Sequence, residues 1–153
     1  MVELMSIDLG DSSSLILGVR GERPEPETNV STNAQLVFQH GRPGAEEPLE
    51  RFSDGRFNSH FPVMVGGRSH VVFAGEADAC VDAVLLRYSY PNEPPYAEYL
   101  ARVSEPLGRR IWMSHPEPLR PNLNVWVACL HGEPEHIAVL PGGTSYGPPA
   151  AQG

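Results

Sequence analysis

The stretch FPVMVGGRSHVVFAG, residues 61–75, places two apolar runs on either side of Gly66-Gly67. A Gly-Gly pair in this position is typical of a two-residue turn of type I′ or II′, so the stretch predicts a β-hairpin. A two-residue turn also sets the register and places Val65 opposite Arg68. Because alternate residues of a strand share a face, both faces of this hairpin are apolar. We therefore expect the hairpin to be covered on both sides and to lie in the centre of the domain.

Short runs rich in Val, Ile and Leu recur through the rest of the chain and are separated by turn residues, which favours more strands. Residues 76–90 fit both helical and strand spacing, and we favour a strand from about residue 80. The further strands that we predict lie at residues 2–9, 14–20, 34–39, 110–114, 123–130 and 136–140. The run at 123–130 is apolar throughout, so we expect cover on both of its faces.

One short amphipathic helix is expected near residues 95–104. Pro94-Pro95 suits a helix start, and Gly108 lies just past the predicted end. The apolar residues that follow the prolines recur at helical spacing: Tyr96, Tyr99, Leu100, Val103 and Leu107.

These elements add up to a mainly β, β-rich α+β fold. We expect an antiparallel sandwich or rolled sheet of about eight short strands with one helix. The chain has 153 residues, including 15 Gly and 16 Pro, so it has room for one loop-rich domain. We assign residues 1–140 to a single β-rich domain and residues 141–153 to a flexible C-terminal tail.

The charge of the chain is acidic and uneven. The net charge is −8, and every one of the eleven basic residues is arginine. Nucleic acid and membrane surfaces need a basic footprint, so neither is an expected partner. Residues 1–50 hold nine acids against three arginines. The use of Arg without Lys suggests a GC-rich bacterium or virus as the source.

Targeting and catalytic motifs are absent from the sequence. No classical signal peptide opens the chain, so we expect a cytoplasmic protein or a component of an assembled particle. Phosphate-binding loops, a serine-hydrolase elbow, HExxH and CxxC do not occur, so we expect no cofactor and do not favour an enzyme. Cys80 and Cys129 lie in apolar stretches and are expected to be reduced core thiols.

Two groups of residues are candidate sites. Arg51, Phe52, Arg56 and Phe57 flank Ser53-Asp54-Gly55, where a tight turn would present arginine and aromatic side chains to a partner. The competing interpretation is that both phenylalanines turn inward.

The second candidate is a metal site formed by His131 and His136, which flank the loop Gly132-Glu133-Pro134-Glu135. Two imidazoles and a carboxylate can hold a divalent cation, although a hairpin end also collects polar residues with no ligand. By contrast, the predicted hairpin register sends His60 and His70 to opposite faces, which excludes them as a chelating pair unless a bulge intervenes.

Aromatic residues offer a further alternative, a carbohydrate platform formed by Tyr96 and Tyr99 or by Trp112 and Trp126. All four lie in amphipathic or apolar elements. We therefore expect them to pack in the core.

The leading hypothesis is a non-catalytic protein–protein interaction or assembly domain of accessory, immunity or particle-decorating type. Its partner would be another protein or further copies of itself. The main alternative is a small β-barrel enzyme or ligand-binding protein with a cavity lined by histidine and aromatic residues. Its candidate lining residues are His60, His70, His115, Tyr88 and Trp126. A third hypothesis is a regulatory module whose acidic N-terminal third occupies a basic site on its partner.

Overall fold

The computed structural model describes residues 1–10, 13–20, 34–41, 44–50, 58–131, 138–139 and 144–146. Thirteen strands lie in these ranges, and eight of them have five or more residues, in agreement with the predicted mainly β fold. The strands are β1 (Val2–Asp8), β2 (Ser14–Val19), β3 (Leu36–His40), β4 (Glu47–Pro48), β5 (Asn58–Val65), β6 (Arg68–Glu76), β7 (Ala83–Ser89), β8 (Ala97–Arg102), β9 (Ile111–Met113), β10 (Glu117–Pro118), β11 (Asn124–His131), β12 (Ala138–Val139) and β13 (Thr144–Tyr146). One 3₁₀ turn, Pro106–Gly108, is the sole helical element of the described ranges.

The strands form three antiparallel sheets. The first sheet has the order β1-β2-β3-β4. In the second, β6 pairs with β5 along one edge and with β9 and β10 along the other. In the third, β11 pairs with β7, which pairs with β8, and the other edge of β11 carries β12 and β13. None of these sheets closes on itself within the described part of the chain, so the predicted sandwich or rolled sheet is present and a closed barrel is not.

The hairpin at Gly66-Gly67 has the predicted register. Both glycines have positive φ, +58° and +77°, as a type I′ turn requires. Val65 pairs with Arg68, and the ladder continues without a shift to the pair Asn58 and Gly75. The sequence prediction of this hairpin is confirmed.

The central sheet is covered on both sides along β6. Val72 and Ala74 belong to a core cluster shared with the first sheet, whereas Val71 and Phe73 belong to a second cluster shared with the third sheet. Adjacent residues of β6 therefore pack in different cores on the two sides of the sheet, which confirms the predicted central position of the hairpin. Cover is incomplete on β5, because Met64 on its open face is 56% exposed.

Arg109 is a buried cation that ties the sheets together. Arg109 is 1% exposed. Its Nε donates a hydrogen bond of 2.6 Å to the carboxylate of Glu76, at the end of β6. Its Nη1 donates to the carbonyl oxygen of Ala34, just before β3, at 3.0 Å. A buried arginine is retained at low cost only with such partners, so this contact fixes the first sheet against the central one.

The helix predicted near residues 95–104 is wrong. Residues Ala97–Arg102 form β8, which pairs with β7 from Tyr88 and Ala97 to Ala83 and Arg102. Ala97, Tyr99 and Ala101 are every second residue of β8, and all three pack in or against the second core. The segment therefore also fits the two-residue repeat of a strand. A helix of about ten residues is marginal by itself, and the continuous ladder to β7 outweighs it.

Other predictions are corrected in detail. The strand expected from about residue 80 begins at Ala83. Neither cysteine forms a disulfide, as expected, but Cys80 is exposed and lies outside the core. Within the predicted tail, Thr144–Tyr146 pair with Val125–Val127 because that edge of β11 offers unpaired backbone groups. The other residues of 141–153 lie outside the described ranges. No helix in the described part is long and apolar enough to span a membrane.

Candidate interaction groove

An open groove of about 690 Å³ lies beside β6 and is bounded by the segment that connects β10 to β11. Buried Val71 and Phe73 form its floor. The described residues that line it come from β5 and β6, from the segment between β10 and β11, and from β11: His60, Pro62, Ser69, Val71, Phe73, Leu119, Arg120, Pro121, Asn122, Leu123 and Val125. The lining is predominantly apolar.

The far wall of the groove is the segment 119–123, which is held at both ends. Before it, β10 pairs with β6, and the Leu119 amide donates a hydrogen bond to the Ser69 carbonyl oxygen at 3.0 Å. A turn follows, in which Asn122 adopts positive φ, a conformation that asparagine tolerates better than most residues. Leu123 is then buried in the second core. The wall is therefore anchored, and Leu119 remains exposed at the rim.

A stack of arginine and tyrosine residues borders this wall. The guanidinium of Arg120 lies over the Tyr90 ring at 3.7 Å, and Tyr90 stacks on Tyr96 with ring centroids 5.5 Å apart and an interplanar angle of 8°. The Arg120 amide donates to the Tyr90 hydroxyl oxygen at 3.2 Å, and the Tyr96 hydroxyl donates to the Glu117 carboxylate at 2.6 Å. These contacts hold the Arg120 side chain in a defined orientation.

The titration of the stack follows from its contacts. Partial burial and the hydrogen bond to Glu117 raise the pKa of Tyr96 above its usual value. Burial, with a smaller contribution from the Glu117 charge, raises the pKa of Tyr88. The hydrogen bond with Tyr90 raises the pKa of Arg120. At neutral pH Tyr88 and Tyr96 are therefore protonated and Arg120 is cationic.

Few polar side chains line the described part of the groove. Its described lining contains one hydroxyl, that of Ser69, and neither a carboxylate nor a thiol. Across the described residues, no group of three or more His, Cys, Asp or Glu side chains is placed to hold a metal ion.

The residues predicted as sites from the sequence are not those that the structure brings together here. Arg51, Phe52, Arg56 and Phe57 lie outside the described residues, and so does His136. His131 is the last residue of β11, and its side chain is likewise not described. The predicted partner-binding turn and metal pair therefore remain predictions.

The histidine and aromatic cavity of the alternative hypothesis is also different from the one observed. Of its five candidates, His60 alone is among the described residues that line the groove. His70 lies on the opposite face, as the register predicted, and its Nδ1 donates to the Arg68 carbonyl oxygen at 2.9 Å. His115 packs edge-on against Tyr99, with ring centroids 5.3 Å apart. Tyr88 belongs to the second core.

The prediction of core packing holds for part of the aromatic set. Trp112 is buried, and Tyr99 packs against the second core. Tyr96 is 48% exposed beside the groove, and Trp126 is 47% exposed on the outer face of the third sheet. The expected cover on both faces of β11 is therefore wrong at Trp126, because its neighbour across the ladder, Arg87, faces solvent.

Sequence reasoning did not predict the wall segment 119–123 as a unit: residues 119–122 fell between the predicted strands 110–114 and 123–130, and Leu123 was assigned to the second of these strands. A local signal was present, since Leu119 and Leu123 are large apolar residues in a loop and flank Arg120. Comparison of the chain with known protein families, with curated proteins and with solved structures finds no match.

Proposed function

We propose that this chain is a non-catalytic interaction domain that binds a short extended segment of another protein in the groove beside β6. The observation that carries the proposal is an open, mainly apolar groove of about 690 Å³ with an arginine and tyrosine stack at its rim. Arginine, aromatic and methionine side chains are enriched where proteins bind each other. Met64, Tyr96 and Leu119 are among the exposed large hydrophobic residues and lie on or near the groove.

The dimensions suit an extended peptide. Ser69 and Phe73 mark the extent of the groove along β6 and are four residues apart, about 13 Å at about 3.3 Å per residue. About four residues of an extended segment match this length. Their alternate side chains would bury apolar surface against Val71 and Leu119.

The test is a selection from a random peptide-display library against the immobilised full chain. Binding of the enriched peptides is then measured by fluorescence polarisation. Ser69→Trp fills the groove from an exposed strand position, so we expect it to weaken binding about tenfold or more. Ser104→Trp is the matched control, because Ser104 is exposed and pairs with Ile111 at the opposite end of the central sheet.

Equal affinity of the two tryptophan variants, at unchanged unfolding midpoints, would place peptide binding elsewhere and overturn the proposal. Failure to enrich any peptide would also overturn it. If a small apolar dye nevertheless bound to the chain and Ser69→Trp abolished that binding, the result would favour the alternative of a ligand-binding protein. Small-molecule pockets have volumes of about 300–1,000 Å³.

A further inference from the structure

We infer that the segment bound in the groove carries a carboxylate next to its apolar residues, and that Arg120 receives this carboxylate. This inference rests on the proposed function and specifies the chemistry of the partner. Three observations support it: the charge of the lining, the way Arg120 is held, and the weakness of its present ion pair.

The described lining of the groove has no acidic side chain, although the molecule is acidic overall. The chain carries a net charge of −8, yet the described lining includes Arg120 and His60 as its ionisable side chains and has no acid. An incoming carboxylate would therefore meet Arg120 and no carboxylate of the described lining, on a protein whose net charge otherwise repels it. This contrast directs an acidic partner segment to the groove.

The guanidinium of Arg120 is held in place but remains accessible. One of its faces lies on the Tyr90 ring at 3.7 Å, and its side chain is 62% exposed. This cation–π contact restrains the guanidinium, while the exposed part of the side chain stays open to a partner. The planar guanidinium fork of arginine matches the two oxygens of a carboxylate.

The ion pair that Arg120 makes within the chain is replaceable. Its Nη2 lies 3.5 Å from a Glu93 carboxylate oxygen, and the Glu93 side chain is 55% exposed. Exposed pairs of this length contribute little to stability. Glu93 therefore competes with a partner carboxylate, and its removal should strengthen binding. The nearby Glu117 carboxylate accepts the hydrogen bond of Tyr96.

The experiment uses peptides enriched on the full chain, each paired with a version in which Asp or Glu is replaced by Asn or Gln. We expect acids beside apolar residues in the enriched peptides, and about tenfold or greater weakening when the acid is neutralised. Arg120→Gln should lower the affinity for the acidic peptide to the affinity measured for its neutral version. Glu93→Gln should raise the affinity for the acidic peptide about two- to fivefold and leave the affinity for the neutral peptide unchanged. Arg102→Gln is the matched control on β8, where Arg102 is exposed outside the groove lining.

The possible failures are distinguishable. Enriched peptides that lack acids, or an Arg120→Gln variant that weakens acidic and neutral peptides equally, would overturn this inference. If those peptides still lost affinity with Ser69→Trp, the proposed function would stand. Absence of any enriched peptide would overturn both.

Discussion

Val71 and Val72 allow a direct test of the two-sided burial of β6. They are adjacent residues, 5% and 0% exposed, yet they belong to different core clusters. Each Val→Ala change removes two methyl groups, worth about 1.6 kcal/mol at about 0.8 kcal/mol per buried carbon. The cavity left behind raises the expected loss in free energy of unfolding to about 2–3 kcal/mol for each variant.

Equilibrium urea unfolding, followed by tryptophan fluorescence to which buried Trp112 contributes, measures both losses. Because the two side chains face opposite cores, the double variant should lose about the sum of the single losses. Met64→Ala is the control, and its exposed position in β5 predicts a change within about 0.5 kcal/mol. A loss below about 0.5 kcal/mol at either valine would show that one face of β6 is uncovered and would refute the three-layer arrangement.

Three further predictions concern the elements that hold the sheets together. Glu76→Gln should lower the free energy of unfolding by about 3 kcal/mol, because it removes the carboxylate facing the buried Arg109 guanidinium; urea titration measures the loss. Stability should fall above pH 10, because burial raises the pKa of Tyr88 above its ordinary value of 10.0 and the hydroxyl then ionises first in the unfolded chain. Urea titrations at several pH values between 9 and 11 give the free energy of unfolding at each pH. Its decrease per pH unit should be smaller in Tyr88→Phe than in the unmodified chain, by up to about 1.4 kcal/mol. In thermal melts, Gly67→Ala should cost about 1–2 kcal/mol because its φ is +77°, whereas Gly66→Asn should be nearly neutral; equal effects would contradict the type I′ turn.

Local turn chemistry predicted the centre of the fold well. The pair Gly66-Gly67 determines the turn type, and the turn type determines which residues face each other along β5 and β6. The opposite placement of His60 and His70 followed from that register and was confirmed. Burial on both sides of β6 followed from its unbroken apolar run.

Predictions that depended on distant partners were weaker. Tyr96, Tyr99 and Leu100 fit a helix in isolation, and the ladder with β7 that makes them a strand is a tertiary contact. The exposure of Trp126 also depends on which face of the third sheet meets the central one. The spacing of apolar residues in the sequence does not indicate which face of the third sheet packs against the central sheet.

The groove itself was the least predictable feature. It exists because segment 119–123 turns back along β6 after the two-residue pairing of β10, and because Tyr90 lies under Arg120 although thirty positions separate them. Such a juxtaposition is set by packing of the whole domain. The residue types could be read from the sequence, but their assembly into one wall could not.

NMR mapping of an enriched acidic peptide on the ¹⁵N-labelled full chain tests directly whether the groove is the binding site. If the groove is the binding site, the largest amide shift changes will occur at Ser69, Val71, Leu119 and Arg120. They will be absent when Ser69→Trp fills the groove. Shift changes centred on Trp126, on the outer face of the third sheet, would contradict the account.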